Sequence, residues 1–243
     1  MKILITNDDG IWAPGLKPLV QWAKTLGQVT VAAPKVEQSG KSQGIELHKA
    51  FEVKKVDLEP DVDAYAIDST PADCVRYMVL GRKESFDLVL SGINKGLNVG
   101  LDMLYSGTVG AIFEASCLGI PAIAFSTGKE SFETAEAYLK PVYDFMMEHQ
   151  LMHKHSLYNI NFPQKVKGIR ITRQGGPFYS NDFPAIGNDL VMPTSKLLYE
   201  DRQNDDLDSD AVQHGYISIT PLTIYRTAES VFSSLCHLNE DDL

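Results

Sequence analysis

An apolar strand that ends in two adjacent carboxylates constrains this chain more than any other feature. Ile3-Leu4-Ile5 runs straight into Asn7-Asp8-Asp9-Gly10. Adjacent carboxylates repel, and burying one costs on the order of several kcal/mol unless a partner compensates. A bound divalent cation is the simplest compensation, and hard oxygen ligands favour Mg, Mn or Ca over Zn. A polar turn with a capping Asp is the alternative, and the rest of the chain weighs against it.

The next segments read as the opening of a parallel sheet. Pro14 is a good first helical residue, and Leu16, Leu19, Val20, Ala23 and Leu26 recur at helical spacing up to Gly27. Val29–Ala33 is a second apolar strand. Strand, helix, strand is the α/β order. Gln43–Val56 reads as a hairpin or edge excursion, and Ala64–Ile67 as a short strand. Thr70 caps a helix with Pro71 at its first position, and Val75, Met78 and Val79 are expected to face the core. Phe86–Leu90 reads as a buried strand, Ser91–Ser106 as a long loop, and Thr108–Leu118 as a helix closing at Gly119. Strand Ala122–Phe125 and helix Thr134–His149 complete the pattern.

The expectation is therefore an α/β fold: a largely parallel, doubly wound sheet with helices on both faces, spanning 1–165. Residues 166–243 form a C-terminal extension in the same structural unit. Gly168–Thr172 and Tyr216–Thr220 read as strands, and Ala228–Leu235 as a final helix. Gln174–Gln213 is too long for a structureless loop in a compact domain and reads as an extended β arm or oligomer contact.

Composition excludes several classes. Lys and Arg total 22 and Asp and Glu 32, a net charge of −10 with no basic stripe, which argues against a duplex nucleic-acid binder. The apolar runs are too short to span a membrane, and the opening residues, with no charged segment followed by an apolar one, do not read as a signal peptide. Cys74, Cys117 and Cys236 show no CxxC spacing. Cys74 and Cys117 lie in apolar helical patterns and read as buried free thiols, which suits a reducing cytoplasm.

Four polar clusters follow strands or open helices: Asn7–Gly10, Glu37–Gly40, Ser91–Asn98 and Tyr105–Gly110. In an open parallel sheet, ligands bind at the carboxyl ends of the strands, so these clusters are expected to meet in one crevice. Asp8 and Asp9 would supply anionic metal ligands, and Ser39 and Asn94 neutral oxygens. Ser106, Gly107 and Thr108 form a small-residue helix start whose backbone N–H groups suit a phosphate. Trp12 and Tyr105 lie beside the expected crevice, where they could contact a ligand or simply pack. Gly40-Lys41-Ser42 is not a P-loop, because residue 35 is Lys. Asp206, Asp208 and Asp210 lack the glycine and closing glutamate of a calcium loop and read as a solvated acidic turn.

With these residues in hand, the chain resembles the SurE (survival protein E) family of metal-dependent nucleotide phosphatases. The matching segments are Ile5–Gly10 with Ala13–Leu16, Gln38–Gly40, Thr70–Val75, Ser91–Gly100, Tyr105–Ala111 and Gly215–Leu222. The resemblance implies a Rossmann-like core, a homodimer or homotetramer built through the C-terminal arm, and hydrolysis of nucleoside monophosphates. It implies one divalent ion per subunit, Mg or Mn, with Ca an option in a crystal. It places that ion on Asp8, Asp9, Ser39 and Asn94, and phosphate on Ser106, Gly107 and Thr108 with Asn98 nearby. Asn7 and Gly40 join the substrate set, and Asp8, Asp9 and Asn94 the catalytic one. The family often has a basic residue just before the second Ser-Gly, where Glu37-Gln38 stand here.

The expected mechanism is metal-assisted phosphoryl transfer to water, with Asp8 or Asp9 orienting the water or taking its proton. Attack by Asp8 itself is the competing route. A metal-dependent transferase with a nucleotide donor and a non-catalytic nucleotide sensor are the rival functions.

Overall fold

The computed structural model describes residues 1–129 and 132–238. Nine strands form the central sheet. In chain order they are β1 (Lys2–Thr6), β2 (Gln28–Pro34), β3 (Val53–Val56), β4 (Asp63–Ile67), β5 (Leu88–Lys95), β6 (Ala122–Thr127), β7 (Leu157–Phe162), β8 (Gly168–Ile171) and β13 (Tyr216–Pro221). Their spatial order is β3-β4-β2-β1-β5-β6-β7-β13-β8. The run from β4 to β7 is parallel, while β3 and β13 are antiparallel to β4 and β7. The chain winds outward from β1 through β2 to β4, then returns to place β5 on the other side of β1. The switch point between β1 and β5 is where an open α/β sheet holds its ligand.

Side-chain alternation divides the core into two layers. Ile3 and Ile5 pack with Leu16, Leu19, Val20 and Ala23 of α1 (Leu16–Ala23) and with Leu139 and Val142 of α4 (Glu133–Glu148). Leu4 points the other way, toward Cys74 and Val75 of α2 (Pro71–Arg76) and Val109 and Ile112 of α3 (Gly107–Cys117). Period-two alternation on a strand buried on both faces produces this division. Each fully buried Ile or Leu contributes roughly 1.5–3 kcal/mol. A π-helical turn, Tyr77–Gly81, extends α2, and its Met78 is buried and Val79 half-buried.

Thr70 caps α2 as expected, its Oγ1 accepting the Asp73 N–H at 3.1 Å. Thr70→Ala is expected to cost about 1 kcal/mol, read as a lower midpoint in urea with unchanged slope.

Several local expectations are corrected. The third cluster is not a loop from Ser91. β5 continues to Lys95, because Asn94 and Lys95 resume pairing with Ser126 and Thr127 beyond an irregularity at Gly92–Ile93. A 3₁₀ turn, Gly100–Tyr105, then leads to α3. α1 runs from Leu16, not Pro14, to Ala23, with Gly15 at its N-cap position and the Gly15 carbonyl accepting the Ile93 N–H at 3.2 Å. Cys117 is exposed, not buried, on the outward side of α3 beside Gln43. Asp208 and Asp210 are fully buried rather than solvated. Asp208 accepts backbone N–H groups of Gly100, Gly175 and Ser209, and Asp210 those of Arg202 and Asn204. These carboxylates replace missing backbone partners where irregular chain is buried.

The expected arm is present. β9 (Tyr179–Asp182) pairs with β12 (Thr194–Leu197), and β10 (Ala185–Gly187) with β11 (Leu190–Val191), both antiparallel. Asn188 and Asp189 take positive φ at the tip, the conformation of a tight hairpin turn. Four-residue α5 (Leu151–Lys154) precedes β7, α6 (Asp208–Gln213) leads into β13, and exposed α7 (Glu229–Leu235) follows it, continued by a 3₁₀ turn, Cys236–Leu238. No helix among the described residues is long and apolar enough to cross a membrane.

Candidate active site

Asp8, Asp9, Glu37, Ser39, Gly40, Asn94, Asn98, Tyr105 and Ser106 line one cleft of 720 Å³ at the carboxyl ends of β1, β2 and β5. Backbone bonds explain the convergence. Thr6, the last residue of β1, pairs with Ser91, so the chain leaving β1 at Asn7 runs beside the last part of β5, Gly92–Lys95. The Gln38 N–H donates to the Asp8 carbonyl at 2.7 Å, which brings the loop after β2 over the first cluster. Ser42 donates its N–H to Tyr105 O at 3.0 Å and its hydroxyl to Leu104 O at 2.7 Å, tying the same loop to the fourth cluster.

Asp8 is 4% exposed, and Asp9 is half-buried. Thr108 donates its hydroxyl to Asp8 Oδ1. Burial, and to a lesser degree the Asp9 charge, push the Asp8 carboxyl up to about 6 against the pull of Thr108. Burial also raises Asp9, whose Oδ2 accepts the Lys95 N–H at 3.3 Å. Gly107 is required here, because a Cβ would lie 2.8 Å from Asp8 Cβ.

The other expected residues divide by task. Asn7 is buried and turned away from the cleft: its amide donates to Gly10 O at 2.9 Å and accepts the Gly10 N–H at 3.2 Å, closing the turn that carries Asp8 and Asp9. Thr108 serves Asp8 and does not line the cleft, whereas Ser106 does, while its Oγ also caps α3 through Val109 N–H at 3.1 Å. Ser39 donates to Glu37 Oε1 at 2.7 Å, and Asn94 donates its amide N–H to Gly96 O at 2.7 Å, which frees the Asn94 amide oxygen. Trp12 is exposed and outside the cleft. Tyr105 is 62% exposed on its rim.

Some lining residues escape sequence reasoning. Lys129 follows β6 and belongs to the same strand-end rule, yet it stands in no recognisable motif. Tyr179, Asn181 and Ser195 come from the arm. Asn159 and Asn161 of β7 donate to Asn98 O at 2.7 and 3.0 Å, and Asn98 donates to Ser126 Oγ at 2.8 Å, so Asn98 is clamped from behind. The available signal was polar residues alternating inside the buried segment Tyr158-Asn-Ile-Asn-Phe162.

Asp102 latches the arm, its Oδ2 accepting the Phe178 and Tyr179 N–H groups at 2.7 and 3.0 Å. Asp102→Ala is expected to raise KM about tenfold with kcat falling less, since it frees lining residues without touching the carboxylates; steady-state kinetics checks this.

The donor set fits a divalent cation. Asp8 and Asp9 make no ion pair among the described residues, while two carboxylates, the Ser39 hydroxyl and the Asn94 amide oxygen share one cleft. Among the described residues no three His, Cys, Asp or Glu side chains come together to hold an ion, so a cation here needs the neutral oxygens as well.

The family model for survival protein SurE matches residues 3–181. A 5'-nucleotidase SurE from Thermoanaerobacter sp. (strain X514) is 39% identical over 236 residues, covering 91% of this chain and 92% of its own. The 5'-nucleotidase SurE of Legionella pneumophila is 35% identical over 98% of this chain and 97% of its own. The crystal structure of the Sure protein from Aquifex aeolicus superposes with a TM-score of 0.79 at 33% identity, covering 98% of this chain and 99% of that one. This chain, with its four clusters gathered at the switch point of the same fold, belongs to the SurE family.

Proposed function

We propose that this protein is a divalent-cation-dependent phosphomonoesterase that hydrolyses nucleoside monophosphates to nucleoside and phosphate, a 5'-nucleotidase with room for 3'-monophosphates and short polyphosphate. The observation that carries the reading is the convergence of Asp8, Asp9, Ser39 and Asn94 with the start of α3 in one cleft. The relatives named 5'-nucleotidase match over nearly their whole length.

A cation on Asp8, Asp9, Ser39 and Asn94, Mg or Mn by the hardness of the donors, supplies the positive charge that polarises a phosphoryl oxygen and acidifies a water. The chain's own residues do the rest. Thr108 fixes Asp8, and Lys95 N–H fixes Asp9, so both carboxylates are positioned before substrate arrives. One of the pair takes the proton of the attacking water. Adjacent carboxylates titrate together, so the base belongs to the pair. Ser106 and Asn94, which line the cleft, would meet the charge that develops on the phosphoryl oxygens, with Gly107 next to Ser106 at the start of α3, and Lys95 and Lys129 oppose the acidity of the cleft. Tyr105 offers its ring at the rim to the base.

The partner is a second copy of the chain, as a dimer or tetramer. Phe183, Ile186, Leu190, Val191 and Leu197 of the arm and Phe232 and Leu235 of α7 are exposed and apolar, a pattern that suits burial in an oligomer. The cytoplasm is the proposed compartment, in keeping with three free cysteines.

The test is phosphate release from a panel of nucleoside monophosphates with Mn, with Mg and with chelator. Release that needs the ion, is abolished by chelator and is restored by re-addition is expected. No release under any condition from folded, metal-loaded protein would sink the reading in favour of a sensor. Release only when an acceptor is supplied would identify a transferase.

A further inference from the structure

A second cavity, of 370 Å³, adjoins the catalytic cleft and shares Leu97 and Lys129 with it. Its walls come from the loop after β6, the loop after β7 (Pro163–Lys167) and the end of α6. Because β6 and β7 run parallel to β5, these loops leave the same edge of the sheet as the catalytic clusters.

The charge of this cavity is opposite to that of the chain. Lys129, Lys165 and Lys167 line it, and no carboxylate among the described residues does, in a protein of net charge −10. Its histidine, His214, is engaged by Asp205 at 2.5 Å and Asp201 at 3.1 Å. Neither Lys165 nor Lys167 makes an ion pair among the described residues. The lysine-bearing loop is nevertheless held in place. Lys167 N–H donates to Gly215 O at 2.7 Å, the Thr134 hydroxyl donates to Gln164 O at 3.1 Å, and Phe162 beneath is fully buried. A fixed loop that gathers unneutralised cations beside a phosphate site is an anion receptor, since lysine ammonium groups attract phosphate as point charges.

We propose that this cavity receives a second phosphate group of the substrate, so that nucleoside bisphosphates, such as 3',5'-bisphosphates, are bound in preference to monophosphates. Building on the phosphomonoesterase reading, this assigns the substrate class of the same site. The scissile phosphate sits at Asp8 and Asp9, Lys129 stands between the two compartments, and Lys165 and Lys167 hold the phosphate that is not cleaved. Water attacks the scissile phosphorus and the ester oxygen leaves with a proton, giving orthophosphate and a nucleoside that keeps its other phosphate.

The test has two arms. In the first, non-hydrolysable phosphonate analogues of adenosine 3',5'-bisphosphate and adenosine 5'-monophosphate are titrated calorimetrically into Mn-loaded wild type and Mn-loaded Lys165→Ala/Lys167→Ala, so that the cation is in place and neither ligand is turned over. The bisphosphate is expected to bind wild type about tenfold more tightly than the monophosphate, and the double variant is expected to bind both alike. In the second, phosphate release from the monophosphate with Mn is measured for both proteins and is expected to agree within about twofold, since neither lysine touches the catalytic carboxylates. Equal affinities in wild type, or a preference that survives the double substitution, would overturn the proposal. Silence in the second arm for wild type would count against the phosphomonoesterase reading alone, because the binding arm stands without turnover.

Discussion

Asp8→Asn is expected to lower phosphate release about a thousandfold or more while the protein stays folded. Asn removes one of the two charges that hold the cation but preserves size and leaves Thr108 a carbonyl partner, so the loss falls on chemistry and not on the backbone. The same substitution is expected to stabilise metal-free protein at alkaline pH. Asp8 ionises near 3.8 in an unfolded chain and at about 6 in the fold, where burial opposes its charge. The folded state therefore holds its proton more tightly, and stability falls as pH rises through that window. The span corresponds to about 3 kcal/mol, part of which Asn returns above pH ~6. Circular dichroism melts with chelator at acid and alkaline pH, beside phosphate-release assays with Mn, read both effects. A variant as active as wild type would remove Asp8 from the mechanism.

Gly110→Ala is expected to cost about 3 kcal/mol and to cut activity about a hundredfold. Gly110 lies in α3, where Ala is ordinarily the better helix former. Its added Cβ, however, lands on the Ser42 carbonyl group, with Gln43 N only 2.7 Å away. These are backbone atoms, and Ser42 is already bonded to Leu104 and Tyr105, so nothing yields cheaply. Relief requires the 39–43 loop to move off α3, which carries Ser39 and Gly40 out of the cleft. Urea unfolding and Mn titration read the two losses separately. A helix gain of about 1 kcal/mol with full activity would show that the two segments do not touch.

The strand-end clusters were legible because one physical rule gathers them. A parallel sheet puts the carboxyl ends of its strands on one edge, so Asn7–Gly10, Glu37–Gly40 and Ser91–Asn98 had to be neighbours once β1, β2 and β5 were recognised. The division of labour within each cluster was less legible. Asn7 and Thr108 look like ligands beside Asp8, yet one closes the turn with Gly10 and the other steadies the carboxylate. That distinction depends on side-chain direction, which spacing along the chain does not encode. Asp208 was misread because its partners, Gly100 and Gly175, are 108 and 33 residues away. Local composition around it is acidic and polar, and only the tertiary fold shows three backbone N–H groups converging on its carboxylate. Lys129, Tyr179, Asn181 and Ser195 were missed for a related reason: each reaches the cleft through a connection outside the motifs.

The central claim is that Asp8, Asp9, Ser39 and Asn94 hold one divalent cation against the phosphate of the substrate. An anomalous difference map from crystals grown with Mn and orthophosphate tests it most directly. A single strong peak bounded by those four side chains, with phosphate beside Ser106 and Gly107, is the predicted result. A peak elsewhere, or Mn in solution with no peak in this cleft, would contradict it.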